Sequence, residues 1–172
     1  NSILSHIQCE VFKIDNKEYK CFASSISSFS PFVLDLIRRN QFWYNFESLK
    51  DPNEDFRQLI KLINGFEIDI SISNVTLLNE VSKILQIQPL FKETDSFIKS
   101  IKHTPDNNLS LLESYVSHQI SCPEVVREIV SKWDSYETLT DIPNEGLLSL
   151  SVESLETLFS SENFSISNQE TF

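Results

Sequence analysis

An α+β fold is predicted by three observations. Apolar and polar residues alternate over 10–22 and 42–49, with a shorter alternation at 68–72. Apolar residues recur at helical spacing over 56–63, 75–85 and 90–101. Past residue 108 only the helical spacing is found, so a mixed first part should be followed by an all-α region.

The first strands form a hairpin from Glu10, with Phe12 and Ile14 on one face, Asp15-Asn16-Lys17 at the turn, and Tyr19 and Phe22 on the returning strand. Ser30-Pro31 starts a helix, since Ser accepts from a first-turn amide and Pro lacks an N–H that would be unpaired there. Phe32, Val33, Leu36 and Ile37 are its buried stripe. In the aromatic run 42–49, Phe42, Tyr44 and Phe46 fall on one side and Trp43 and Asn45 on the other, as in a strand near a sheet edge. Asp51-Pro52-Asn53 closes that strand, and Asn53 could cap a helix on which Phe56, Leu59, Ile60 and Ile63 share a stripe and which Asn64-Gly65 ends. Ile68, Ile70 and Ile72 alternate with Asp69 and Ser71, the period of a half-buried strand.

Ser73 or Asn74 then caps a helix with Val75, Leu78, Val81, Ile84 and Leu85 on one face, broken at Pro89. A helix from Leu90 to Ile101 buries Leu90, Phe97, Ile98 and Ile101, with Lys99 and Lys102 suitably near its C-terminus. Thr104-Pro105-Asp106-Asn107-Asn108 reads as a linker, dividing the chain into 1–102, a join at 103–108, and 109–172. Further helices are expected at Leu109–Gln119 and Pro123–Trp133, then Ile142-Pro143 leading to Leu147–Leu150, then a stripe of Val152, Leu155, Leu158 and Phe159. Ser167 and Glu170 are spaced as a capping box, so the chain is expected to run on past Phe172.

The 172 residues, 40% hydrophobic with 13 Phe, suffice for one to one and a half domains with a real core. Three widely spaced cysteines, Cys9, Cys21 and Cys122, suggest no disulfide framework; a reducing, cytoplasmic setting fits best. No run is long enough to cross a bilayer. Residues 1–102 hold 12 Lys+Arg against 13 Asp+Glu, and residues 103–172 hold 2 against 12, so nearly all of the net charge of −11 lies in the second part. Such acidity repels phosphate, which argues against nucleic acid and anionic membranes as partners. Its ordinary meaning is solvated outer helix faces; as a recognition surface it would suit a basic protein.

Little points to catalysis. His118-x-x-x-Cys122 offers two ligands where tetrahedral zinc needs three or four, and His6, His103, Cys9 and Cys21 sit elsewhere in the sequence. With Gly65 and Gly146 as the only glycines there is no GxGxxG and no P-loop. A Cys–His nucleophile pair would lack an evident orienting residue. The expectation is a non-enzyme with no catalytic, cofactor-binding or metal residues and no small-molecule substrate. Trp43 and Tyr44 supply large contact area with a polar handle, which suits protein binding, although strand and edge packing would also account for them.

The stretch from Phe56 to Leu90 resembles the BTB/POZ domains. Members commonly carry an apolar helix ending in Tyr-Thr-Gly, then Glu-Ile, Asn-Val, Leu-Leu, Leu-Gln-Ile and a final Leu. This chain has Glu67-Ile68, Asn74-Val75, Leu77-Leu78, Leu85-Gln86-Ile87 and Leu90, with Asn64-Gly65-Phe66 in place of Tyr-Thr-Gly. Cys9-Glu10-Val11-Phe12 is similar to the family's opening, with Glu for Asp, and Ser30-Pro31 to its helix start, with Phe22 and Ala23 where a His-Lys pair is usual. Leu150-Ser151-Val152-Glu153, Leu155, Leu158-Phe159-Ser160-Ser161 and Ile166-Ser167 resemble the BACK region that often follows. The Asn-, Ser- and Ile-rich composition is compatible with divergent members from single-celled eukaryotes.

The resemblance implies a small mixed sheet flanked by a helical cluster, homodimerisation, and in many members service as substrate adaptor of a cullin-3 ubiquitin ligase. By position it puts the partner surface on Phe42, Trp43, Tyr44, Phe46, Leu90 and Phe91, and the dimer interface on Ile3, Leu4, Ile7, Glu10, Phe22 and Ala23. Members that bind cullin often show an apolar-x-Glu triplet just before the aromatic strand, where this chain has Asn40-Gln41-Phe42. The other reading is a structural subunit of a large, for example cytoskeletal, assembly with no ligase role.

Overall fold

The structure is a computed structural model, and it describes residues 8–133 and 148–161. Three strands, β1 (Cys9–Ile14), β2 (Lys17–Phe22) and β3 (Trp43–Phe46), form a mixed sheet in the order β2-β1-β3, antiparallel between β1 and β2 and parallel between β1 and β3. The helices are α1 (Ala23–Phe29), α2 (Pro31–Arg38), α3 (Phe56–Ile63), α4 (Ile72–Ile84), α5 (Gln88–Ser100), α6 (Pro105–Ser117), α7 (Pro123–Trp133) and α8 (Val152–Phe159). The chain is thus α+β, with sheet and helices mixed in the first part and helices in the described remainder. Among the described residues no helix is long and apolar enough to cross a membrane.

The hairpin turns on two residues, Asp15 (φ 48) and Asn16 (φ 63), both in the left-handed region that Asn and Asp tolerate best among residues with a side chain. Phe12 and Ile14 of β1 face the core with Tyr19 and Cys21 of β2, while Phe22 lies 48% exposed. Phe22 takes the outer face because it is an odd number of residues from Tyr19, and side chains alternate along a strand. The expected cap of α2 is present, with Val33 N–H donating to Ser30 Oγ at 3.0 Å, and the same hydroxyl reaches the Leu85 carbonyl at the end of α4. The helix α1 was not expected. Its serines are modest helix formers, and Ser27 and Ser28 direct their hydroxyls back to the carbonyls of Ser24 and Ser25.

Between α3 and α4 the expected strand is absent. Residues 66–70 form no ladder, yet Ile68, Ile70 and Ile72 are half-buried and Glu67, Asp69 and Ser71 exposed. The alternation reports an extended chain laid on the core, without a neighbouring strand to pair it. Ser71, rather than Ser73 or Asn74, stands at the N-cap of α4, and its N–H donates to Asn74 Oδ1 at 2.9 Å. Helix α4 is buried on more than one face, since Asn74 to Leu78 are all inside. It packs on α3, α5 and α6 and is the hub of the molecule.

The main core joins Phe12, Ile14, Tyr19, Val33, Phe46, Phe56, Leu59, Leu78, Leu85 and Leu90. Phe56 is its aromatic centre, with ring centroids 5.7 Å from Phe12, 4.9 Å from Tyr19 and 5.5 Å from Phe46. The expected linker at 103–108 is helical for most of its length: Thr104 caps α6, accepting from Asn107 N–H, and Pro105 opens the first turn. The signal was the right residues for a helix start, which share composition with a loop. A second cluster joins Leu109, Leu112, Cys122, Val126, Ile129, Val130 and Leu158 across α6, α7 and α8. In α8 only Leu158 of the expected stripe is fully inside, and Val152 and Phe159 are exposed. The readings made for Ile3, Leu4, Ile7, Ile142–Leu147 and Ser167–Glu170 lie outside the described residues.

Candidate functional site

The edge strand β3 follows from its aromatic alternation: Tyr44 and Phe46 turn inward, where Tyr44 meets Phe32 edge-on at 5.2 Å and Phe46 at 4.9 Å. Trp43 is left on the outer side, 56% exposed. At four residues the strand is short, and the Gln41 amide donates to the Trp43 carbonyl at 3.1 Å, which blunts an edge that could otherwise pair with another chain. A partner would therefore use the indole face more than the backbone. Of the six residues expected on the partner surface, Phe46 and Leu90 belong to the core, 4% and 1% exposed. Phe42, Tyr44 and Phe91 are half-buried. Positional transfer from a family identifies places along a chain, and the pleat and helix phase then decide which side chains emerge.

The residues expected at a dimer interface are also divided. Phe22 is exposed; Ala23 is 5% exposed, at the start of α1, with its N–H on the Gln8 carbonyl. Glu10 shares the inner face of β1 with Phe12 and Ile14 and pairs in register with Cys21. It is fully buried, and neither carboxylate oxygen has a hydrogen-bond partner among the described residues. Burial pushes its carboxyl up from 4.5 to about 7. An uncompensated buried carboxyl is costly, so it stands out as a group awaiting a proton or a cation.

A third feature was not found from sequence. Asp51, fully buried, ends the segment after β3 and starts α3: its Oδ1 accepts from Asp55 N–H at 2.7 Å, and its Oδ2 from the Tyr19 hydroxyl at 2.9 Å and Phe56 N–H at 3.3 Å. Asp55, rather than Asn53, stands at the N-cap position of α3 and makes no side-chain cap bond; the Asp51 carboxylate takes the amides of Asp55 and Phe56 from four residues upstream of it. Burial, then the Asp51 hydrogen bond, hold the Tyr19 phenol well above its ordinary range. From the other side comes His118, fully buried at the end of α6, with Nδ1 2.7 Å from the Ser114 carbonyl and 3.1 Å from Thr76 Oγ1, and Nε2 3.5 Å from Asp55 Oδ2. His118 is directed at these carboxylates, whereas Cys122 lies in the apolar cluster of α6 to α8 with its thiol pushed up by burial to about 11. No thiolate is favoured there.

The chain matches no model of a known protein family, and no curated protein matches it.

Proposed function

We propose that this protein is a protein-interaction module of the BTB/POZ type, followed by a BACK-like helical region, that self-associates and serves as an adaptor, with a cullin-3 ubiquitin ligase as the first partner to test. The observation that carries the reading is Trp43, more than half exposed on a short edge strand whose other aromatics are packed inward. Trp is the side chain most enriched where binding energy concentrates, and leaving one in solvent has no benefit to the fold. The small mixed sheet flanked by helices supports the family reading. The exposed Phe22, one of the residues expected at a dimer interface, supports self-association.

The test is recovery of the tagged protein from its own cells, with Trp43→Ala and Phe91→Ala variants beside it and bound proteins identified by mass spectrometry. Cullin-3 recovered by the unaltered protein and lost with Trp43→Ala is the expected result. A filament or complex component in its place would reassign the protein to a structural role. Sedimentation showing only monomer at micromolar concentration would remove self-association from the proposal.

A further inference from the structure

Asp51, Asp55 and His118 each offer one ligand atom, and these atoms lie within 4.8 Å of one another. His118 Nδ1 sits 2.7 Å from the Ser114 carbonyl, which can only accept, so that nitrogen carries the proton. When Nε2 carries no proton, its lone pair faces Asp55 Oδ2, 3.5 Å away. Among the described residues neither atom has a hydrogen-bond partner, though both are buried. Two lone-pair atoms so close repel unless positive charge lies between them.

That charge could be a proton on Nε2 or a metal cation, and the spacing discriminates. A charge-assisted N–H to carboxylate bond closes to about 2.7–2.9 Å, well short of the 3.5 Å here. Two ligands of a tetrahedral ion with bonds of about 2.0–2.1 Å stand roughly 3.3–3.4 Å apart, close to the spacing of His118 and Asp55, while the Asp51 oxygen, within 4.8 Å of both, would draw in on binding. The surroundings suit a metal as well. A ligating histidine ordinarily donates its other N–H to a carbonyl or carboxylate, as His118 does to Ser114, and ligating carboxylates are held by further hydrogen bonds, as Asp51 is by Tyr19 and two amides. The His118 side chain is fully buried and that of Asp55 is 16% exposed, so an ion would approach from the Asp55 side. The Lys17 ammonium binds the Asp51 carbonyl at 2.6 Å and not the carboxylate.

We propose that Asp55 Oδ2, His118 Nε2 and a carboxylate oxygen of Asp51 form a binding site for a divalent cation of the zinc class, which ties the end of α6 to the start of α3. The site does not depend on the BTB/POZ reading.

The experiment is calorimetric titration of Zn²⁺ into the chelator-treated whole chain, followed by thermal unfolding with and without the ion. One saturable equivalent and a raised melting temperature are expected. Asp55→Asn keeps the backbone N–H that binds Asp51, so α3 still starts correctly; it should weaken binding at least about tenfold, and His118→Gln likewise. Should His118→Gln fail to fold, Asp55→Asn alone decides. Absence of saturable binding would overturn the proposal and leave a His118–Asp55 ion pair. Equal binding by Asp55→Asn and the unaltered chain would also overturn it, placing the ion elsewhere, for instance on the exposed Cys9.

Discussion

Asp51 concentrates on one carboxylate what a sequence reading spreads over a turn. It accepts from two backbone amides at the start of α3 and from the Tyr19 hydroxyl of β2, so it joins sheet to helix as well as capping. Asp51→Ala leaves three donors without their acceptor, and a loss of about 3 kcal/mol is expected in urea unfolding. Asp51→Asn, which keeps one oxygen, should lose less. Glu10 makes the opposite contribution. Its carboxyl has an ordinary value of 4.5 and is raised by burial to about 7 in the folded chain. Below 4.5 it is neutral in both states. Between 4.5 and 7 the unfolded chain gives up the proton while the folded chain retains it, so stability falls as pH rises through this window and levels off above it. The loss is on the order of 1–3 kcal/mol. Glu10→Gln should remove that fall, so that thermal melts at pH 5 and pH 8 differ less in the variant than in the parent. A variant that keeps the full difference would show that some other group titrates.

Elements were legible where their signals are local. The hairpin follows from a two-residue turn whose residues tolerate positive φ, and α2 from a Ser-Pro pair whose hydroxyl and missing N–H both suit a first turn. Asn16→Gly should hold or raise stability at φ 63, whereas Asn16→Val should cost about 1–2 kcal/mol, because a β-branched side chain clashes in the left-handed region. Guanidinium unfolding of the pair measures both. The strand expected at 68–72 is absent for a reason that belongs to the whole sheet. Its alternation specifies which side chains are half-buried, and that survives, but a strand also needs a partner edge, and the sheet ends at β2 and β3. Helix α4 shows a related limit. A stripe of five apolar residues was expected, and the structure also buries Asn74, Thr76 and Leu77, because α6 covers a second face. A polar residue on a face later covered by another helix looks, in sequence, like a solvent position.

At the scale of the molecule, a few polar contacts stitch the second part to the first. Thr76 Oγ1 of α4 lies 2.7 Å from Ser114 Oγ and 3.1 Å from His118 Nδ1, Ser114 Oγ donates to the Ser73 carbonyl, and Lys50 N–H donates to the His118 carbonyl. Thr76→Val removes a buried hydroxyl shared by α4 and α6 while keeping its shape, and about 1–3 kcal/mol should be lost. Native-state hydrogen exchange should show faster exchange in α6 with little change in the hairpin; equal acceleration in both would mean that the chain unfolds as one unit. Most of the candidate partner surface was placed by resemblance, and only Trp43 of its six residues came out more than one-third exposed. The carboxylate and imidazole cluster was invisible, since His118 at the end of α6 is far along the chain from Asp51 and Asp55 at the start of α3 and no spacing motif links them. The sequence by itself determined the class, the hairpin turn and the Ser30 cap, the inward-facing residues of β1, α2 and α3, and the concentration of negative charge in the second part. Those depend on neighbours a few residues away, through periodicity and local hydrogen bonding. Only the tertiary structure decided that 66–70 stays unpaired, that α4 is enclosed, that Glu10 is buried with no hydrogen-bond partner among the described residues, and that His118 meets two aspartates. Each of these depends on which faces come together in space, and a linear pattern does not carry that information.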